Sequence, residues 1–282
     1  MPEVCIEFTF DELGVLCAAL KCPLPVGVAG DDFELPDSLA ARFRDRAAST
    51  LHSRRVIEGG EVNDAVASVL RLGAEPMLIV TVELEEGPVL DTIFLACDSD
   101  LAVEIREFAP QVFRLTPFVT RDVVGRIGRL SDLRPASVAN VGSISIDAAA
   151  LARAAEAAVS NPFAAQDVLT AEGVESIASE ILAAALAERR RTVAVTAIHR
   201  PDDDLVEGGT LSWIDCGLLG NWIAEGDEDI TEMESGGPTG LLTLRSVEAS
   251  EIQETLLSYL PLAFTSDEGD PTAEEGQNAL PA

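Results

Sequence analysis

The chain is 282 residues long, 47% hydrophobic, and carries a formal net charge of −30. That hydrophobic fraction belongs to a folded globular protein, and no apolar run reaches the ~20 residues that span a bilayer, which argues against membrane insertion. A surface this acidic repels phosphate backbones, so nucleic-acid binding, which draws its affinity from Lys and Arg, is set aside.

The N-terminus opens on an alternating strand, residues 5–10 (CIEFTF), with no basic segment leading into an apolar one. A cytosolic location is expected on that pattern. Thr9 or Asp11 caps a helix to Leu20, and the Pro- and Gly-bearing stretch 21–37 cannot continue it. Asp37 or Ser38 caps a second helix over 39–51, with Leu39, Phe43, Ala47 and Thr50 on one face. The turn 52–60 (HSRRVIEGG) leads into a third helix over 61–72. Residues 77–84 and 89–97 read as strands flanking a hairpin loop, Glu85-Glu86-Gly87-Pro88. Strands follow at 101–108 and 111–115, and Thr120 caps a helix to about residue 133.

Residues 135–142 read as a hinge between halves. Beyond it come a strand at 143–146, the cap Asp147 and an alanine-rich helix to 159. A connector at 161–173 and a helix at 174–190 precede a strand at 192–199. A polar loop at 200–209 (RPDDDLVEGG) separates it from strands at 211–216, 221–224 and 241–245, and a helix at 250–260 closes the plan. Residues 266–282 have the composition of a disordered acidic tail.

The two halves echo one another. Residues 61–84 and 174–199 both run from a polar-capped helix into a β-branched strand. Residues 89–107 match 208–225 without a gap, pairing Phe94 with Trp213, Leu95 with Ile214, Cys97 with Cys216 and Val103 with Trp222. The closing segments 113–130 and 242–260 each run from a strand through a hydroxyl-and-acid cap into an amphipathic helix. The expected class is α+β, with two pseudo-symmetric, duplicated halves (1–134 and 143–265) built on antiparallel sheet flanked by helical bundles.

Catalytic signals are scarce. The chain has no GxGxxG after a strand, no P-loop, no GxSxG and no HExxH. Gly236-Gly237-Pro238 reads as a turn, and Asp202-Asp203-Asp204 as a solvated loop, because adjacent acids splay apart instead of converging on a metal. His199 beside those acids is the sole candidate for acid–base work, with no nucleophile placed to accompany it. The five cysteines form no CxxC pair, so no metal or other cofactor is expected; Cys22 is the best candidate for an exposed thiol, and Cys97 and Cys216 for buried ones. Lys21 is the only lysine, a usage that points to a GC-rich genome.

Trp213 alternates with Leu211 and faces the core, whereas two roles stay open for Trp222 beside Gly217 and Gly220. It is either an exposed interface anchor or the cover of its own sheet's rim. The acidity is open in the same way, as a docking surface or as a solubility device.

Several stretches together resemble the EspG-type secretion-associated proteins of actinobacterial type VII (ESX) systems. They are the paired helices of 41–72 around SRRVIEGGEV, the proline-bearing strand 108–117, the segment GGTLSWIDCGLLGNWI, and the closing strand and helix at 239–260. The resemblance covers about residues 8–262, departs in the five cysteines and the extreme N-terminus, and marks a divergent member. It implies a quasi-two-fold α+β fold and a cytosolic, non-enzymatic chaperone that binds a helical PE–PPE-like secreted pair, masks its apolar tip and keeps it soluble. Carried over by position, the partner surface falls on Glu85, Glu86, Gly87 and Pro88, with Leu218, Trp222 and Ile223 added from the second half. The alternatives are a structural or regulatory homodimer and an enzyme acting around His199.

Overall fold

The computed structural model describes residues 5–29, 37–202, 205–226 and 240–260. Asp203 and Asp204, Gly236-Gly237-Pro238 and the tail at 266–282 lie outside them. The first half begins with β1 (Ile6–Thr9), α1 (Phe10–Leu20) and α2 (Asp37–Ser53). A small hairpin, β2 (Ile57–Glu58) and β3 (Glu61–Val62), leads to α3 (Asp64–Ala74). Then come β4 (Leu78–Glu86), β5 (Val89–Cys97), β6 (Leu101–Ala109), β7 (Val112–Val119) and α4 (Val123–Leu130). The second half comprises β8 (Ile144–Asp147), α5 (Ala148–Ser160), α6 (Pro162–Ala171) and α7 (Ser176–Ala187). It ends with β9 (Arg191–Asp202), β10 (Leu205–Asp215), β11 (Asn221–Gly226), β12 (Leu241–Val247) and α8 (Ala249–Tyr259).

Local chemistry sets these boundaries. Thr9 and Glu12 exchange hydrogen bonds in a capping box at α1, and Asn63 and Asp147 carboxamide and carboxylate oxygens accept the first amides of α3 and α5. Two expectations shift. The helix expected from Glu61 starts at Asp64, because Gly59 and Gly60, both at positive φ, turn a two-residue hairpin first. The connector at 161–173 is the helix α6: Asn161 accepts the Phe163 amide at 3.0 Å, and Pro162 takes a first-turn position whose missing N–H costs nothing. The polar loop at 200–209 is also shorter than expected, since β9 and β10 extend into it.

Among the described residues, ten strands form one antiparallel sheet in the order β1-β7-β6-β5-β4-β9-β10-β11-β12-β8. Read outward from the centre, each half has the same succession, and β4 pairs with β9 where they meet. The sheet therefore runs unbroken through both halves. The residue-by-residue match over β5 and β10, however, is one residue out of step with the sheet. Ala96 pairs with Val103 as Ile214 pairs with Trp222, so Leu95, not Phe94, stands where Trp213 does. A one-residue slip reverses every face. Cys97 accordingly lies in the central core and Cys216 in the second helical one.

One face is closed at its middle by α4 and α8. Leu78, Val80, Val82, Ile93, Leu95, Val193, Val195, Trp213 and Ile223 pack there on Val123, Ile127, Ile252 and Leu256. A buried ion pair ties α4 down: Arg126 Nε donates to Glu104 Oε2 of β6 at 2.6 Å. On the other face the helices divide. α1–α3 cover Phe8, Ala96, Val103, Ile105, Phe113 and Leu115 at one flank. α5–α7 cover Ile144, Ile146, Ile214, Trp222 and Leu244 at the other. The segment 134–142 is tied to the sheet, with the Ala139 amide donating to Ser246 Oγ at 2.9 Å and Asn221 Nδ2 to the Arg134 carbonyl at 3.3 Å.

Candidate partner-binding surface

Between the two helical flanks, the side chains of β4 and β9 that point away from α4 and α8 belong to neither helical core. On β4 these are Ile79, Thr81, Glu83 and Glu85, and on β9 Thr192, Ala194, Thr196 and Ile198. Strand alternation places all eight on one face. They are half-buried or exposed, and Ile198 is 38% accessible. Thr92 and Phe94 of β5 and Thr210 and Ser212 of β10 widen the strip, with Phe94, Thr81, Thr196 and Thr210 standing in one cross-strand row. Among the described residues this is a trough with a threonine and aliphatic floor and helical walls.

The wall on the first side carries a strap. Beyond α1 the chain runs back along the end of α3, where the Val26 amide donates to the Gly73 carbonyl at 2.8 Å and Val28 is buried. Gly27, at φ 72°, lies against the Phe94 ring so closely that a Cβ there would overlap it. Beside this contact is a cleft of about 290 Å³ lined by Gly27, Leu90, Thr92, Phe94 and Glu107. Leu90 is exposed, and Glu83 and Glu85 add exposed carboxylates to the same end of the trough. The open surface thus combines threonine and aliphatic floor with an acidic margin.

The residues singled out from sequence divide on this frame. Glu85 and Glu86 lie within β4, paired with Leu90 and Val89, so the loop proper is Gly87-Pro88, with Gly87 at φ 58°. Glu85 faces the trough. Glu86 faces the opposite side, bonded to Arg191 at 2.6 Å. Leu218 is 92% exposed on the short turn between β10 and β11, which leaves the sheet at the same end as Gly87-Pro88.

Trp222 and Ile223 are corrections. Both are 0% exposed, so the surface presents neither side chain to a partner. Trp222 packs under α5–α7, and its indole N–H donates to the Leu219 carbonyl at 3.3 Å. It holds the turn that presents Leu218. Ile223 points the other way, into the core beneath α4 and α8.

Burial pushes the Cys97 and Cys216 thiols up to about 12. Cys5 is the exposed thiol and Cys22 is half-buried, reversing the expected order. The Arg134 guanidinium bonded to Asp132, with Arg190 nearby, holds the Asp132 carboxyl below its ordinary value. Among the described residues no group of three His, Cys, Asp or Glu could hold a metal ion, and no helix is long and apolar enough to cross a membrane.

A family model described as the EspG family matches residues 9–229. The chain belongs to the EspG family. Among solved structures it is similar to the Mycobacterium tuberculosis type VII secretion system chaperone EspG5, determined in complex with a PE25–PPE41 dimer. That likeness has a TM-score of 0.61 at 17% identity, covering 92% of this chain and 97% of the other. At such identity it speaks for the fold. No curated protein matches the chain. Among the described residues of this EspG-family chain, the uncovered part of the sheet lies where β4 meets β9.

Proposed function

We propose that this EspG-family chain is a cytosolic secretion chaperone that receives the apolar end of a helical PE–PPE-like pair. The observation that carries the reading is the trough over β4 and β9, an open stretch of sheet between two helical walls. EspG5 is itself a chaperone determined with such a pair. Glu85, Gly87 and Pro88 at the trough's end, with Leu218 beyond it, form the contact surface. The apolar and threonine floor shields the helical tip from water, and the carboxylates around it keep the complex soluble. Glu83 and Glu85 favour a partner whose tip carries Arg or Lys beside its apolar residues. No catalytic step is assigned.

The test is co-expression of the full chain with a helical PE–PPE-like pair, scored by the soluble fraction of the pair and by co-elution in size exclusion. The reading expects a stable three-chain complex and a pair that precipitates without the chain. A chain that elutes as a homodimer and leaves the pair insoluble contradicts it.

A further inference from the structure

Helix α1 ends in a defined way. Lys21 is left-handed at φ 55°, its amide donates to the Ala18 carbonyl at 3.4 Å, and the Cys22 amide donates to the Cys17 carbonyl at 3.1 Å. This pair of bonds is a Schellman ending, which brings the side chain two positions past the helix against one in its last turn. Two apolar side chains ordinarily meet there. Here both are cysteines, at the two positions that the motif brings together. The bond between their main chains also keeps the two Cα atoms within bridging reach. Cys17 is buried, while Cys22 is half-buried with access to solution.

We propose that Cys17 and Cys22 are a reversible disulfide-forming pair that staples the strap 21–28 to the end of α1. Cys22 is the entry point. As a thiolate it attacks one sulfur of a low-molecular-weight disulfide RSSR, whose S–S bond breaks and releases RS⁻, which takes up the proton Cys22 lost. Cys17 then loses its proton and attacks the Cys22 sulfur, expelling the second RSH. Two protein thiols are oxidised and one RSSR is reduced to two RSH. Burial, then Cys22 itself, pushes the Cys17 thiol up to about 12, so the second step is the slower one. The strap so fixed is the one that packs Gly27 on Phe94 at the wall of the trough. The inference is independent of the chaperone reading, because it concerns only the geometry of this helix end.

The test treats the folded full chain with oxidised glutathione, then denatures it and alkylates the remaining thiols. Lys21 separates the two cysteines, so trypsin cuts between them and a disulfide joins peptides 1–21 and 22–42. The proposal expects those peptides joined, with two of the five thiols lost to the bridge in the native chain and two of the four in Cys5→Ser. Cys22→Ser, a half-buried position tolerant of change, abolishes the link. A glutathione adduct that persists on Cys22 with Cys17 still alkylated overturns the proposal. So does a link that disappears in Cys5→Ser, or a count of five free thiols.

Discussion

Thr81 of β4 stands in register with Thr196 of β9 at the centre of the sheet, and the Thr196 hydroxyl lies 3.2 Å from that of Thr210 on β10. β-branched side chains hold the strand conformation here without needing a hydrocarbon cover, which suits a floor left open. Replacing Thr196 with Val keeps the shape and removes one exposed hydroxyl contact. Stability should change by less than ~1 kcal/mol, read from the denaturation midpoint at constant slope. A larger loss would mean the position is packed against something.

The opposite face behaves differently, because Glu104 and Arg126 are buried together. Removing one partner leaves the other charge stranded. Glu104→Ala or Arg126→Ala should each cost about 3–5 kcal/mol, whereas replacing both with apolar residues of similar volume should cost far less than the sum. A double-mutant cycle in chemical denaturation checks this.

Gly27 tests the wall of the trough. An alanine there meets both a left-handed backbone and the Phe94 ring, and on the order of 2 kcal/mol should be lost. Phe94→Ala in the same chain should relieve the overlap and leave only the backbone component. Thermal denaturation of the two single variants and the double variant separates the contributions.

Cys97 and Cys216 set an alkaline limit. Below pH 9.0 both the folded and unfolded chains hold these thiol protons, and the pair adds no pH dependence. Between 9.0 and about 12 the unfolded chain ionises while the folded chain does not. The unfolded state then binds fewer protons, and stability falls by about 1.4 kcal/mol per pH unit for each thiol. Cys97→Ala and Cys216→Ala should flatten the decline in denaturation midpoint across that window.

Much of the fold was legible because periodicity and caps are local. Thr9 and Asp147 sit at observed helix starts, and the strands from Leu78 to Val119 follow from alternation and turn residues. α6 was missed because Asn161-Pro162 serves equally as a helix start and as a break, and only packing against α5 and α7 decides. Glycines at 217 and 220 left Trp222 open between an exposed anchor and a cover of its own sheet; the turn they make presents Leu218 and returns the chain to the sheet before the tryptophan. The trough itself was beyond local reading. An alternating Thr and Ile pattern on β4 and β9 marks a half-buried strand, but where the helical cover stops is a tertiary fact.

The central claim is that the trough over β4 and β9 is where a helical pair is held. Its most direct test is capture of a co-expressed PE–PPE-like pair by the full chain carrying Thr196→Arg, beside Glu254→Arg on the exposed side of α8 as control. The account predicts that both variants fold, that the control captures the pair as the native chain does, and that the arginine on the floor weakens capture at least about tenfold. Undiminished capture by Thr196→Arg would contradict it.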